Sequence, residues 1–488
     1  MPKFTPDITR VREAVQELIE RHHMPGVGLG IVVGGEPVHL EAFGKAEITA
    51  GKEYSVDSRQ RIASITKTMI GLSVMALVDE GRLSLEDKVP ALLPDITFHG
   101  PAESLTVWNL LTHTGGIGEA PSPNDLSHAF SKLFAESDPS KSLPELYDDG
   151  VTIEVPPGSK WAYANHGFTL LGEILERTEK APLQDILQHR VFGPLGMTSS
   201  DIKDVPHPDL AQGYTQAASE DDWRLIDFFG IELESRDAAD GYNMPGKFAR
   251  VWGNPAAGGV QSTVTDMATY ACALLRDSKG IVRRETFARM TSDQYRPDKR
   301  LPGWGLSFGV QERGPHRGFG HGGAAFGGWN SYMGIFPDLD AAIIFHMNLW
   351  SNSFESMTPT VINAFLGIDD AAPDGLATDP GILASAPGIY ELPGNTPLTD
   401  LRPRFNYGRI QLRQEDSGLV LYSRRGAWKE GARLLPVSPE DPELFNVQVD
   451  GLPPVKIALV RGDDGAIRAV HLPALVEAVR NPEFEPWV

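Results

Sequence analysis

From Ser64 to about Glu80 the chain reads as a helix without a polar face. Met69, Ile70, Leu72, Val74, Met75, Leu77 and Val78 leave almost no side of it for water. A helix that is apolar nearly all round must be buried, so the rest of the fold has to enclose this one. Gly81 ends it. Its first turn nevertheless carries Ser64 and Lys67, three residues apart and therefore neighbours on one face. The unpaired N–H groups and positive dipole end of a first turn stabilise negative charge formed there. A serine in that place, with an amine in reach, is built like an activated nucleophile.

The chain has 488 residues, too many for one ordinary core, so two or three domains are expected. Hydrophobic residues at 41% and charged residues at 22% are the proportions of a soluble globular protein. A net charge of −21 argues against nucleic acid and anionic membranes as partners. The single cysteine, Cys272, allows no intrachain disulfide and sits in a helical-looking stretch, where a buried inert thiol is expected. Met1 to Asp7 show no basic segment followed by an apolar run, and no stretch is long enough to span a bilayer. Both point to the cytoplasm.

Along the chain, residues 7 to 23 have helical spacing of Ile8, Val11, Val15, Leu18 and Ile19. The pair His22-His23 that ends this helix could bind a metal, but no second cluster supports that. Residues 26–33 and 37–43 read as two strands of a hairpin around Gly34-Gly35. A short helix with a glycine turn is expected over 105–117. Residues 119–150 read as a surface insertion near the cleft, 168–178 as a helix, and 203–250 as irregular structure or a flap. Strand-like runs at 304–310, 318–323, 329–336 and 341–348 suggest three strands completing the sheet begun at the N-terminus. Polar, turn-forming residues mark a linker over 369–385 between a catalytic domain, 1–368, and a second domain, 386–488. The second domain has six short strand-like runs, as in a small antiparallel barrel or sandwich.

Ser-x-x-Lys alone is weak, with about one or two matches expected by chance in a chain this long. Ser200-Asp201-Ile202-Lys203 is such a decoy, with no helix behind it. Tyr-x-Asn is rarer, and only Tyr163 among the tyrosines has an asparagine, Asn165, two residues on. His-x-Gly occurs at His113, His316 and His321, but only His321 opens a glycine pair between expected strands.

Ser-x-x-Lys, Tyr-x-Asn and His-Gly-Gly in this order resemble the serine β-lactamase and penicillin-binding-protein superfamily. The branch they most resemble is that of class C β-lactamases, D-alanyl-D-alanine carboxypeptidases, D-aminopeptidases and family VIII esterases. Leu110 to Gly116, Pro157-Gly158, Gly172 to Glu176, Pro194 to Met197 and Gly258 to Met267 also look like family segments, and the likeness covers about residues 8 to 366. It implies an α+β sandwich: an antiparallel sheet flanked by helices with an all-helical subdomain. The C-terminal part resembles the lipocalin-like barrels appended to some relatives. The resemblance also implies Ser64 as acylated nucleophile and Lys67 and Tyr163 as the groups moving its proton, with the choice of base open. Asn165 would orient Lys67 or bind substrate. His321, Gly322, Gly323 and Ala324 would line substrate, with the N–H groups of Ser64 and Ala324 as oxyanion hole.

Plainer readings stand beside these: Ser64 as a helix cap, Tyr163 and Asn165 as turn residues, and His321, His113 and His166 as structural histidines. His321 stands where β-lactamases carry a lysine, which argues for a small amide or ester as substrate. The alternatives are a β-lactamase, a D-alanyl-D-alanine carboxypeptidase, an acyltransferase or a non-catalytic binding protein. No cofactor or metal is expected, and a homo-oligomer is open. If the barrel lends a loop to the cleft, substrate preference should respond to it more than folding does.

Overall fold

The computed structural model of the chain describes residues 4–123, 141–217, 220–228, 231–251, 253–351, 354–369, 375–416, 418–424 and 426–483. The principal elements, in chain order, are α1 (Ile8–His22), β1 (Gly26–Val33), β2 (Glu36–Glu47), α2 (Thr66–Asp79), α3 (Asn165–Glu179), α4 (Val264–Leu274), β3 (Gly309–Arg313), β4 (His316–Ala325), β5 (Trp329–Phe336), β6 (Ala341–Met347) and α5 (Phe354–Leu366). A seven-stranded sheet runs in the order β3-β4-β5-β6-β1-β2 and then the two-residue strand Lys52–Glu53. Its pairings are all antiparallel. The last part of the chain closes into an eight-stranded barrel between Gly388 and Arg480. The fold is α+β, with an antiparallel C-terminal barrel.

β1 shows how the layers form. Its sequence, Gly26-Val-Gly-Leu-Gly-Ile, alternates glycine with a branched residue, and alternate residues of a strand point to opposite faces. Val27, Leu29 and Ile31 pack with α1 and α5 in one core. The glycines face the other way, where α4 lies so close that a Cβ on Gly28 would be 2.5 Å from Val264. α1 enters at Asp7, whose carboxylate accepts the Arg10 N–H at 3.1 Å, and leaves at His23 in a left-handed conformation. The His23 ring stacks on Tyr242 at 3.6 Å, a packing role. Among the described residues, no group of His, Cys, Asp and Glu could hold a metal ion. No described helix is long and apolar enough to cross a membrane.

α2 is buried from Thr66 through Leu77. It belongs to the large core on the glycine side of the sheet, with α3 and α4. Each such fully buried Leu, Ile or Met contributes about 1.5–3 kcal/mol, which outweighs the weak capping of α2. The barrel has its own core, around Tyr390, Leu421, Phe445, Ile457 and Val470.

Several expectations shift. In the seven-stranded sheet four strands, not three, follow residue 304. The run 304–310 is not one of them: Leu306 and Ser307 donate to the carbonyls of Met290 and Leu111, and the strand begins only at Gly309. The ends of the expected surface insertion are interior, with Glu119, Ala120, Leu143 and Tyr147 buried; residues 124–140 lie outside the described residues. Two barrel strands went unread, Ala432–Ser438 and Val476–Arg480. The first carries Pro436, and proline counts against a strand unless it falls at an edge or bulge. Here it sits at a register shift.

Candidate active site

Ser64 lies on a single 3-10 turn, Ala63–Ile65, that runs straight into α2. No side chain caps α2, so the hydroxyl is not occupied as a helix cap. Ala63 has φ of 48°, uncommon for a residue with a Cβ and of a kind that gathers at functional sites. The turn is clamped from two sides. On one, the Ile62 N–H donates to Val260 at 3.0 Å and the Val260 N–H donates to the Thr66 hydroxyl at 3.1 Å. On the other, the Ser331 hydroxyl donates to the Ile62 carbonyl at 2.8 Å. β4 passes so close that a Cβ on Gly323 would be 2.3 Å from that same carbonyl oxygen.

Lys67 is fully buried. Its amine lies 3.0 Å from Ser64 Oγ, 2.8 Å from Asn165 Oδ1, and in a short contact with the Ala257 carbonyl. A neutral amine has two N–H donors and one lone pair. Two fixed carbonyl acceptors take the donors, which leaves the lone pair for the serine hydroxyl. Protonated, the same amine donates to all three neighbours. The site therefore accommodates either state without an unpaired group. Burial, and next the charge of Arg402, hold the Lys67 pKa well below its ordinary 10.5, against the opposing pull of Glu119.

Tyr163 comes from the segment leading into α3, and its hydroxyl stands near enough to Ser64 for the two to influence each other. Burial raises its pKa, so the phenol stays protonated where Lys67 is neutral. His113 supports this segment. Its ring stacks on Tyr163 at 4.2 Å, its carbonyl accepts the Ala162 N–H at 2.8 Å, and its Nδ1 accepts the Ala164 N–H at 3.1 Å. The structural reading of His113 thus has a definite content. His166 is likewise a packed neighbour, with Nδ1 2.9 Å from the Tyr147 hydroxyl.

His321 lies on β4 with Nδ1 2.6 Å from the Gly322 carbonyl. A carbonyl only accepts, so Nδ1 carries the proton and Nε2 is an acceptor. Burial, then the nearby Lys67, bring its pKa down to about 3. His321 is therefore a neutral group, unlike the lysine of the resemblance. The ladder between β3 and β4 ends at Gly309↔Gly320, so residues 321–325 present one edge that no strand among the described residues pairs with. Gly322 and Ala324 are exposed along it. These residues, Ser64, Tyr163 and Asn165 line one cavity of about 460 Å³, walled also by Trp161 and Trp304.

Two further groups complete the cluster. Glu119 is fully buried and accepts the Asn165 Nδ2–H at 2.9 Å. Because a carboxylate only accepts, it fixes the Asn165 amide with its oxygen toward Lys67. Arg402 reaches in from the loop between the first two barrel strands. Its Nε pairs with Glu119, and its guanidinium lies 4.3 Å over the Tyr163 ring. The decoy Ser200 is buried in a different place, bound to Asp266 at 2.7 Å and Ser262 at 2.8 Å, where it anchors the start of α4.

A family profile described as Beta-lactamase matches residues 11–365. The chain belongs to the beta-lactamase family. That family is one of serine hydrolases, and its profile spans both the Ser64 turn and the His321 strand. Penicillin-binding protein 4* of Bacillus subtilis (strain 168) is 28% identical over 192 residues, 38% of this chain and 40% of that protein. The chain thus spans about two fifths of that relative. The octameric penicillin-binding protein homologue from Pyrococcus abyssi superposes with a TM-score of 0.61 at 20% identity, covering 97% of this chain and 100% of that one. The D-amino acid amidase from Ochrobactrum anthropi SV3 gives 0.59 at 24% identity, covering 73% and 99%. These solved structures establish the beta-lactamase fold here, and the first covers the barrel as well.

Every expected site residue falls in or beside one cavity. Glu119 and Arg402 were missed. Glu119 follows the turn Gly115-Gly116-Ile117-Gly118, and a carboxylate next to an apolar glycine turn was the available signal. Arg402 carried none, because its contact bridges 283 residues of sequence.

Proposed function

We propose that the protein is a serine hydrolase that acts through an acyl-enzyme on a small amide or ester. The observation that carries this is the Lys67 amine, buried, depressed in pKa and 3.0 Å from Ser64 Oγ. In the proposed reaction Ser64 Oγ attacks the substrate carbonyl carbon while its proton passes to Lys67. The carbonyl oxygen becomes an oxyanion facing the N–H groups of Ser64 and Ala324. When the intermediate collapses, the carbon–oxygen or carbon–nitrogen bond breaks. The leaving alkoxide or amine takes a proton from Lys67 by way of the Tyr163 hydroxyl, leaving acyl-Ser64. Water then adds by the same route and releases the acid. Lys67 is the base in this reading because burial favours its neutral form, whereas it disfavours a Tyr163 phenolate. Asn165 orients the amine.

A neutral His321 gives substrate an uncharged contact. That favours a small amide or ester, as the D-amino acid amidase likeness also does, over a substrate anchored by its carboxylate on a third-motif lysine.

A fluorophosphonate probe is expected to add one adduct, on Ser64, found by intact mass and peptide mapping. No adduct, or an adduct on Ser200, would sink the assignment. A second expectation concerns pH. Protonated Lys67 cannot accept the serine proton, so kcat/KM for an uncharged ester should fall as pH drops through a limb set by Lys67, well below its ordinary 10.5. Activity that rises only near the ordinary lysine range would show that Lys67 is not the base.

A further inference from the structure

The loop between the barrel strands Gly388–Glu391 and Arg409–Glu415 is stitched to the cleft. The Gly118 N–H donates to Thr399 Oγ1 at 3.0 Å and the Glu119 N–H to the Thr399 carbonyl at 2.7 Å. The Leu398 and Thr399 N–H groups donate to the Glu154 carboxylate at 2.6 and 3.0 Å. The fit is close: a Cβ on Gly118 would be 2.3 Å from the Thr399 backbone. These bonds bring Arg402 onto the buried carboxylate of Glu119 and over the face of Tyr163.

We propose that Arg402 and Glu119 are positioning residues of the active site: the pair fixes the Asn165 amide and, through it, the amine of Lys67, so that a loop of the barrel completes the catalytic cluster. This rests on the hydrolase reading above. The chain of contacts is Arg402 to Glu119, Glu119 to Asn165 at 2.9 Å, Asn165 to Lys67 at 2.8 Å, and Lys67 to Ser64 at 3.0 Å. A fully buried carboxylate without a cationic partner is costly. Arg402 supplies that partner and leaves Glu119 free to hold Asn165 in one orientation.

The pair also acts on Lys67 by charge, with opposite signs: Arg402 disfavours its protonated form and Glu119 favours it. The other polar rings facing the amine are His113, His321 and Tyr163, all held uncharged by burial. Behind the pair stand Asp400, raised to about 7 by burial and Glu119, and also Arg404 and Glu154.

The test uses the full chain with 13C-labelled lysine side chains, the Lys67 signal being assigned by its loss in Lys67→Met. Arg402→Gln is expected to move the Lys67 titration midpoint up by at least about half a pH unit, the Arg402 side chain being 44% exposed and so partly screened. Glu119→Gln is expected to move it down by about one unit or more. Arg402→Lys should return it toward wild type, because it keeps the charge. The acid limb of kcat/KM for an uncharged p-nitrophenyl ester should follow the same order, with KM changed less than kcat. A midpoint that stays in place in both single variants, or moves the same way in both, overturns the proposal. If the midpoints move as expected but the wild type neither cleaves ester nor takes up fluorophosphonate, the hydrolase reading fails and the positioning role stands.

Discussion

Ser64→Ala and Lys67→Met are each expected to lower kcat by about 10⁴–10⁶-fold, and the double variant to be no worse than either single one. The reason is that the two side chains act as one unit. Without its lysine, Ser64 is an alcohol with no base within reach. Without its serine, Lys67 is an amine with nothing to activate. Residual activity would come from the cavity and the backbone N–H groups alone, so both deletions reach the same floor. The measurement is kcat for a p-nitrophenyl ester in the two single variants and the double. Losses that multiply would mean that Ser64 and Lys67 contribute independently, contrary to a shared proton. Lys67→Met should also leave the fold intact. A buried amine replaced by an unbranched apolar side chain of similar length keeps the packing of α2, and the Asn165 and Ala257 carbonyls and the Ser64 hydroxyl lose a hydrogen-bond partner.

Gly323→Ala is expected to cost about 1–3 kcal/mol of stability and to reduce activity well beyond what that loss accounts for. The added Cβ would sit 2.3 Å from the Ile62 carbonyl oxygen and 2.4 Å from Ser331 Oγ. Neither is the loose end of a flexible side chain. Ile62 immediately precedes the Ala63–Ile65 turn, so whatever relieves the clash must move β4 away from Ser64 or move the turn itself. Either motion separates the Ser64 N–H from the Ala324 N–H. Thermal unfolding and kcat measured together check this; a variant with normal kcat would show that the spacing is not critical to the chemistry.

Much of this arrangement was legible in the sequence because it depends on short-range pattern. The alternating glycines of β1, the apolar circumference of α2 and the three-residue spacing of Ser64 and Lys67 each encode a local geometry. Trp329–Phe336 could be read as a strand because aromatic and aliphatic residues recur between Gly328 and Pro337, and all eight of its residues are buried in the sheet. Where local signals conflicted, reading failed. Residues 304–310 alternate like a strand, yet the Leu306 and Ser307 N–H groups find their partners in the helical region, on Met290 and Leu111. Pro436 hid a barrel strand that tolerates it at a bulge.

By itself, then, the sequence determined that α2 is buried and, through the family resemblance it carries, the fold class and the side chains expected beside Ser64. Only the tertiary structure decided their electrical state. Whether Lys67 is charged depends on how deeply it is buried and on which ions stand beside it, and the nearest of these come from residue 119 and residue 402. Spacing along a chain specifies which side chains share a face. It does not specify the desolvation of an amine or a charge brought in across 283 residues, because those are sums over neighbours that exist only once the chain has closed.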